Sequence, residues 1–376
     1  EYGDRQLREL GFRDGDLLVA ITEGGETSFV IGTVETAAEI SSRVPYFLYC
    51  NPDEVLVNLV ERSRRVIRNE SIRKINLTTG QQVLSGSTRM QASTIQQLAA
   101  GRALFLAAEG TPTPEAVRES ASRLARFYRG LDLAPIARFT VKEAQIYQRG
   151  EYVIYETDDY PLAVATDTTE RAPTSSLPPF ENVDDPEPPH SWAYIAIPGA
   201  KDSAGAWHHL FGREPRALEW PEVRAKAGRE RLLGFDISRD IYDYRARSVG
   251  REKLHTFRIY RDGHEQVWKF EEQEWRLETG SLDLLDEFTV LKMLLNTHST
   301  LIMGRVGRYE SNIMLYVRPS NFKLIDRTAR YVQHLLRRDG VERSYEKVVY
   351  EIFRQLEQLR EDESVVWHTY LALESS

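Results

Sequence analysis

Cysteine is almost absent from this chain: among 376 residues, only Cys50 is a cysteine. A single cysteine excludes an intramolecular disulfide framework and a metal site built from cysteines, which is typical of a reducing compartment, by default the cytoplasm. The eight histidines, including the neighbouring His208 and His209, show no metal-binding spacing. We therefore expect no metal and no cofactor.

Excess positive charge and long apolar runs are also missing. The formal net charge is −8, whereas nucleic acids and anionic membranes attract proteins with a basic face. No stretch reaches the roughly 18 apolar residues of a membrane span, and the opening residues "EYGDRQLREL" do not resemble a signal peptide. We expect neither a nucleic-acid nor a membrane partner, which leaves a small molecule or another protein.

What the chain does contain is enough hydrophobic sequence, 41%, for two folded units. In the first part, apolar runs of strand length alternate with helical patterns, the rhythm of parallel βα units. This rhythm predicts an α/β fold with a mainly parallel sheet, and a first domain over residues 1–132. Its predicted strands are residues 17–21, 46–51 and 74–78.

A second βα series predicts another domain over residues 133–335, followed by a C-terminal helical segment over 336–376. Its predicted strands are residues 152–157, 162–166, 192–197 and 232–237, and residues 255–277 alternate about "RDG" as a β-hairpin does. The proline-rich and acidic stretch 171–191 predicts an irregular, exposed excursion.

The stretch "LSGSTRMQAST", residues 84–94, places small hydroxyl residues before a long helical pattern. A helix N-terminus exposes unpaired N–H groups and attracts phosphate, while Gly86 allows close approach of a ligand to the backbone. Ser85, Ser87 and Thr88 are therefore candidate phosphate ligands. An ordinary N-cap is the alternative, and no Walker lysine follows.

A second candidate loop, "TEGGETS" at residues 22–28, follows the first predicted strand, at the sheet edge where α/β proteins bind ligands. Gly24 and Gly25 free the backbone, and Thr27 offers a hydroxyl. Glu23 and Glu26 would repel an anion but accept hydrogen bonds from sugar hydroxyls. This loop favours a phosphorylated sugar over a nucleotide, with a capped tight turn as the alternative.

Two further clusters carry weaker signals. Asp167 and Glu170 follow a predicted strand, where they would be either an acid/base pair or capping residues. Asn321 and Lys323 follow Pro319, where a lysine is either a surface residue or a ligand for phosphate or a ring hydroxyl.

Three segments together resemble the sugar isomerase (SIS) superfamily, in its branch of N-acetylmuramic acid 6-phosphate etherases and glucokinase regulatory proteins. They are residues 15–32, 84–98 and 291–324, the last with the pattern "LNTxST", "NxM", "SNxKL" and Arg327. About 230 residues separate "GSTRM" from "SNFKL", which resembles the double-domain regulatory proteins rather than the single-domain etherases.

The resemblance implies two SIS-type domains, each a three-layer αβα sandwich, the first lacking two strands and the family's catalytic acids, which would lie upstream. It also implies a bound phosphorylated sugar or amino sugar, and a sugar kinase or a second copy of the chain as partner. An isomerase or etherase-type lyase, with Glu26 or Glu170 moving a proton, is the alternative. The phosphosugar ligands would be Gly24, Gly25, Thr27, Ser85, Ser87, Thr88 and Lys323. Gly24 stands where etherases typically have serine, and Glu26 replaces a basic or polar residue.

Overall fold

A three-stranded parallel sheet in the order β1-β2-β3 forms the centre of the first unit, residues 1–129. The structure is a computed structural model that describes residues 1–110, 112–320, 322–360 and 363–375. The strands are β1 (Val19–Ile21), β2 (Tyr46–Tyr49) and β3 (Arg73–Asn76). The helices are α1 (Tyr2–Glu9), α2 (Ser28–Ile40), α3 (Asp53–Leu59), α4 (Glu61–Arg68), α5 (Gln91–Ala108) and α6 (Pro114–Arg129).

The core of this unit follows from the two-residue period of β2. Phe47 and Tyr49 are fully buried in a cluster with Ile31 of α2, Leu56 of α3 and Val66 of α4. Helices α3 and α4 are separated at Val60, whose backbone is extended. The predicted strands and their parallel order are confirmed in this unit.

The second unit, residues 130–376, has a five-stranded sheet in the order β5-β4-β6-β7-β8. Strand β4 pairs in parallel with β5 and β6, while β6, β7 and β8 pair antiparallel, so the predicted hairpin is confirmed. Phe257 of β6 stacks on Tyr155 and Phe270 in the core. The strands are β4 (Tyr152–Glu156), β5 (Ala193–Ala196), β6 (Leu254–Asp262), β7 (Glu265–Phe270), β8 (Gln273–Glu278), β9 (Tyr309–Glu310) and β10 (Ile313–Met314).

Helices complete this unit, and several begin at side-chain caps, for example Asp283, whose carboxylate accepts a hydrogen bond from the Asp286 N–H at 2.9 Å. The helices are α7 (Ala134–Gln148), α8 (Pro161–Ser175), α9 (Ser203–Phe211), α10 (Arg224–Ala227), α11 (Arg229–Leu233), α12 (Ile241–Val249), α13 (Leu284–Arg305), α14 (Phe322–Arg338), α15 (Tyr345–Leu356) and α16 (Val365–Glu374). The α/β class is confirmed. The predicted domain boundary after residue 335 falls inside α14.

Two predicted strands of the second unit are wrong. Residues 162–166 lie in α8, which Pro161 begins, because proline at the first helical position has the backbone angle a helix needs. Residues 232–237 end α11 and continue irregularly, although the Ile197 N–H still bonds to the Ile237 carbonyl. A short apolar run does not distinguish a strand from a buried helical turn.

The excursion expected over residues 171–191 is also partly wrong. Residues 171–175 continue α8, with Pro173 inside the helix. The remainder is irregular, as predicted, but Glu181 and Asn182 are buried rather than exposed. Burial is possible because polar partners exist: Arg245 donates to Glu181, and the Asn182 amide donates to the Arg231 carbonyl at 2.7 Å.

Candidate functional site

Two predicted loops of the first unit meet at the carboxyl edge of its sheet. Residues 22–27 follow β1, and residues 77–90 connect β3 to α5. The Thr88 hydroxyl donates a hydrogen bond of 2.9 Å to Glu23 Oε2, across 65 residues of sequence. The structure therefore joins the two segments that the sequence indicated separately.

The loop after β1 leads directly into α2. The hydroxyl of Thr27, the residue before the helix, lies 2.8 Å from the Thr22 hydroxyl and does not cap the helix. The N–H groups of the first turn of α2 thus have no capping side chain among the described residues. This end of α2 offers N–H donors to an anion.

The loop before α5 is not a cap. Helix α5 begins at Gln91 after Met90, so the N-cap alternative for Ser85, Ser87 and Thr88 is wrong. Ser87 is 5% exposed, and no described group hydrogen-bonds to its hydroxyl. A buried hydroxyl without a partner is unusual, since almost all buried polar groups are hydrogen-bonded.

The two glycines of the loop after β1 have different surroundings. Gly25 has a positive φ of 74°, which favours glycine, and a Cβ there would lie 2.7 Å from Leu56 Cδ1, so the Leu56 side chain would have to shift. The carbonyl of Gly24 accepts a hydrogen bond from the Asn51 amide at 2.9 Å, and a Cβ at Gly24 would have only an ordinary contact. Their predicted part in a ligand pocket stays a prediction.

Sequence reasoning missed the side chains that hold these loops. Buried Gln96 of α5 donates to the Thr22 carbonyl at 3.0 Å, and Ser63 of α4 donates to the Gly25 carbonyl at 2.7 Å. The Arg62 guanidinium binds the Glu26 carbonyl at 2.5 Å. Only Asn51 carried a usable signal, because it is the last residue of a predicted strand, at the ligand-binding edge.

The Cys50 thiol lies at this edge, near the negative charge of Glu23. Burial, together with the nearby charge of Glu23, raises the pKa of the Cys50 thiol to about 11. Cys50 directly follows β2, and its N–H bonds to the Glu23 carbonyl at 2.9 Å. The thiol therefore stays protonated and is not a reactive nucleophile.

The candidate acid pair of the second unit is not at a sheet edge. Asp167 and Glu170 lie within α8, not after a strand, which corrects that prediction. Asp167 is fully buried and accepts hydrogen bonds from Arg171, Asn296 and Ser299, whereas Glu170 is exposed. The two carboxylates therefore lie in different environments, one buried among polar partners and the other exposed.

Lys323, the remaining candidate, lies in the first turn of α14, and its side chain is outside the described residues, as is Asn321. In the described ranges, no three or more histidine, cysteine, aspartate or glutamate side chains are grouped to hold a metal ion. No helix within those ranges is long and apolar enough to cross a membrane.

No protein-family model matches the chain. Among solved structures, the tagatose-6-phosphate ketose/aldose isomerase from Escherichia coli aligns with 81% of this chain and 74% of its own, with a TM-score of 0.41 and 11% identity.

Curated relatives match a shorter segment. N-acetylmuramic acid 6-phosphate etherase of Aliivibrio fischeri (strain MJ11) is 34% identical over 100 residues, which is 26% of this chain and 29% of the relative. N-acetylmuramic acid 6-phosphate etherase 2 of Vibrio cholerae serotype O1 (strain ATCC 39315 / El Tor Inaba N16961) is 30% identical over 96 residues, 26% of this chain and 27% of the relative. The chain thus spans less than a third of the length of these relatives. Over that segment, its resemblance to the etherase branch of the SIS superfamily is confirmed.

Proposed function

We propose that the first unit binds a phosphorylated sugar where residues 22–27 and 84–90 meet. The hydrogen bond from Thr88 to Glu23 carries the proposal, because it fixes both hydroxyl-bearing loops around one place at the sheet edge. Relatives whose name includes an amino-sugar 6-phosphate support this class of ligand.

Each part of the ligand has a matching group. The N–H groups at the start of α2 and the hydroxyls of Thr27 and Ser87 are donors for phosphate oxygens. The Thr88 hydroxyl, which donates its one proton to Glu23 in this structure, would donate to phosphate by turning away from that carboxylate. The Glu23 carboxylate is an acceptor for a sugar hydroxyl. Gly24, Gly25 and Ser85 complete the proposed pocket wall. Lys323 belongs to the second unit, and its predicted part in phosphosugar binding stays a prediction.

We further propose that binding regulates a partner, a sugar kinase or a second copy of the chain, rather than leading to turnover. This step is supported by the wide separation of "GSTRM" from "SNFKL", which the double-domain regulatory proteins share. Turnover as an isomerase or a lyase is the alternative, and half-buried Glu26 in the same loop is the acid that favours it.

Thr88→Val tests the binding site. The substitution keeps the shape and removes the hydroxyl, so affinity for hexose 6-phosphates, measured by titration calorimetry on the full chain, is expected to fall about tenfold. Thr33→Val is the matched control, because the Thr33 hydroxyl bonds within α2 to the Phe29 carbonyl and should leave affinity unchanged. Absence of binding by any hexose phosphate or amino-sugar phosphate would contradict the proposal.

Deuterium exchange separates binding from turnover. A regulator should leave each bound phosphosugar unchanged in heavy water, whereas an isomerase or lyase should incorporate deuterium at C2, visible by NMR. If Glu26→Gln abolished deuterium incorporation, the result would favour turnover, with Glu26 as the residue that moves the proton.

A further inference from the structure

The carboxylate of Glu23 has unused hydrogen-bonding capacity. It is half-buried, and in the part of the chain that the structure describes, the Thr88 hydroxyl at 2.9 Å is its one hydrogen-bond partner. A carboxylate has about four acceptor sites, so most of them stay open to a ligand.

The charge of Glu23 is a problem for phosphate alone. The Thr88 hydroxyl donates its one proton to the carboxylate, so a phosphate bound beside Thr88 would lie a few ångströms from this negative charge. Two like charges at such a distance repel each other strongly outside bulk water. The neighbouring Ser87 hydroxyl, 5% exposed and without a described partner, adds a donor for phosphate but no positive charge.

A positive group on the ligand removes this conflict. An ammonium group has three N–H donors and would pair with the open side of the Glu23 carboxylate in a charge-assisted hydrogen bond. A neutral hydroxyl of the ligand would fill one acceptor site of the Glu23 carboxylate but would leave the repulsion between Glu23 and the phosphate. An acylated amine has no positive charge, so it would leave the same repulsion.

We propose that Glu23 makes this site selective for phosphorylated sugars that carry a free amino group, over neutral or N-acylated sugar phosphates. This inference rests on the proposed phosphosugar site. It assigns to Glu23 a role in specificity, which differs from the phosphate-binding role of Ser87 and Thr88.

Three probes test the selectivity: glucosamine 6-phosphate, glucose 6-phosphate and N-acetylglucosamine 6-phosphate, each titrated calorimetrically into the full chain. We expect glucosamine 6-phosphate to bind about tenfold more tightly than the other two, the effect of a charge-assisted hydrogen bond. In Glu23→Gln, which keeps an acceptor for Thr88 but has no charge, the ratio should fall to about one. Glu39→Gln is the matched control, because the Glu39 side chain lies on α2 outside the proposed pocket and is 73% exposed, so this variant should preserve the preference.

The outcomes separate this inference from the proposed function. If the unmodified chain binds all three sugar phosphates equally, or if Glu23→Gln keeps the preference, the role of Glu23 is wrong and the phosphosugar site stands. The comparison of the three affinities in the unmodified chain does not depend on whether any variant folds. If none of the three probes binds, the proposed function fails, and the inference with it.

Discussion

The sheet edge of the first unit and a charged cluster in the second unit differ in how their polar groups are paired. At the sheet edge of the first unit, the Glu23 carboxylate has one described partner and the Ser87 hydroxyl has none. In the interior of the second unit, a larger charged cluster on α7, β4, α8 and α13 is extensively paired. The difference distinguishes a place that can accept a ligand from a place that holds helices together.

Glu143 is the centre of the interior cluster. One of its oxygens accepts hydrogen bonds from Tyr147 at 2.5 Å and Arg171 at 2.7 Å. The other accepts from Tyr155 at 2.7 Å and His298 at 2.8 Å. All four donors therefore converge on a carboxylate that is completely buried.

Both ring nitrogens of His298 have a polar partner in this arrangement. Nδ1 lies 3.1 Å from the Thr140 hydroxyl, which also bonds to the Ile136 carbonyl at 2.8 Å. Nε2 lies 2.8 Å from Glu143 Oε2. His298 therefore joins α13 to α7 through two buried contacts.

The largest expected effect comes from removing Arg171, which pairs with Glu143 and Asp167 at 2.7 and 2.9 Å. Arg171→Met leaves two buried carboxylates without their shared cation and should lower the free energy of unfolding by about 3–5 kcal/mol. Urea unfolding followed by tryptophan fluorescence measures it, because all six tryptophans lie between residues 192 and 367, in the second unit.

Arg330→Met is the control for that experiment. Arg330 pairs with Asp326 on α14, but its side chain is 70% exposed, so the loss should be only about 0.5 kcal/mol or less. Equal losses for the two variants would mean that burial does not distinguish the cluster.

Acid should weaken the same cluster. Burial tends to raise the pKa of Glu143, but the charges of Arg171 and His298 outweigh burial and lower the pKa to about 2. Because the pKa is lower in the folded state, the stabilisation is complete above the ordinary glutamate pKa and is lost as the pH falls towards 2. This contribution of Glu143 to the free energy of unfolding amounts to about 3 kcal/mol at neutral pH.

Urea unfolding of the second unit at several acidic pH values checks this dependence. Glu143→Gln should be less stable at neutral pH and should lose stability less steeply on acidification. A variant with the same slope as the unmodified chain would show that other carboxylates carry the pH dependence.

The sequence predicted the first unit better than the second for a physical reason. Strands β1, β2 and β3 are separated by helices of clear period, so short apolar runs had one interpretation. In α8, alanine, valine and threonine after Pro161 fit a strand as well as a helix, and the buried pairing of Asp167 with Asn296 and Ser299 of α13 stabilises the helix. Such partners are about 130 residues away and have no local pattern.

The candidate site shows the same limit. Local composition indicated both loops, because glycines and hydroxyls after a predicted strand or before a helix have a direct physical meaning. Local composition could not indicate that Thr88 bonds to Glu23 or that Gln96 bonds to the Thr22 carbonyl. Both bonds join residues that are distant in sequence, so they depend on the tertiary structure.

The smallest expected effect compares two buried serines. Ser299 donates a hydrogen bond of 2.7 Å to Asp167, so Ser299→Ala should cost about 1.5–3 kcal/mol of unfolding free energy in the second unit. Ser87 has no described partner to lose, and Ser87→Ala should change stability by less than about 0.5 kcal/mol. Scanning calorimetry measures the effect of Ser87→Ala on the unfolding of the first unit. Because all six tryptophans lie in the second unit, this is the transition without a change in tryptophan fluorescence. If Ser87→Ala costs as much as Ser299→Ala, the Ser87 hydroxyl is paired in the folded protein, and the contrast between a ligand-ready edge and a filled interior is lost.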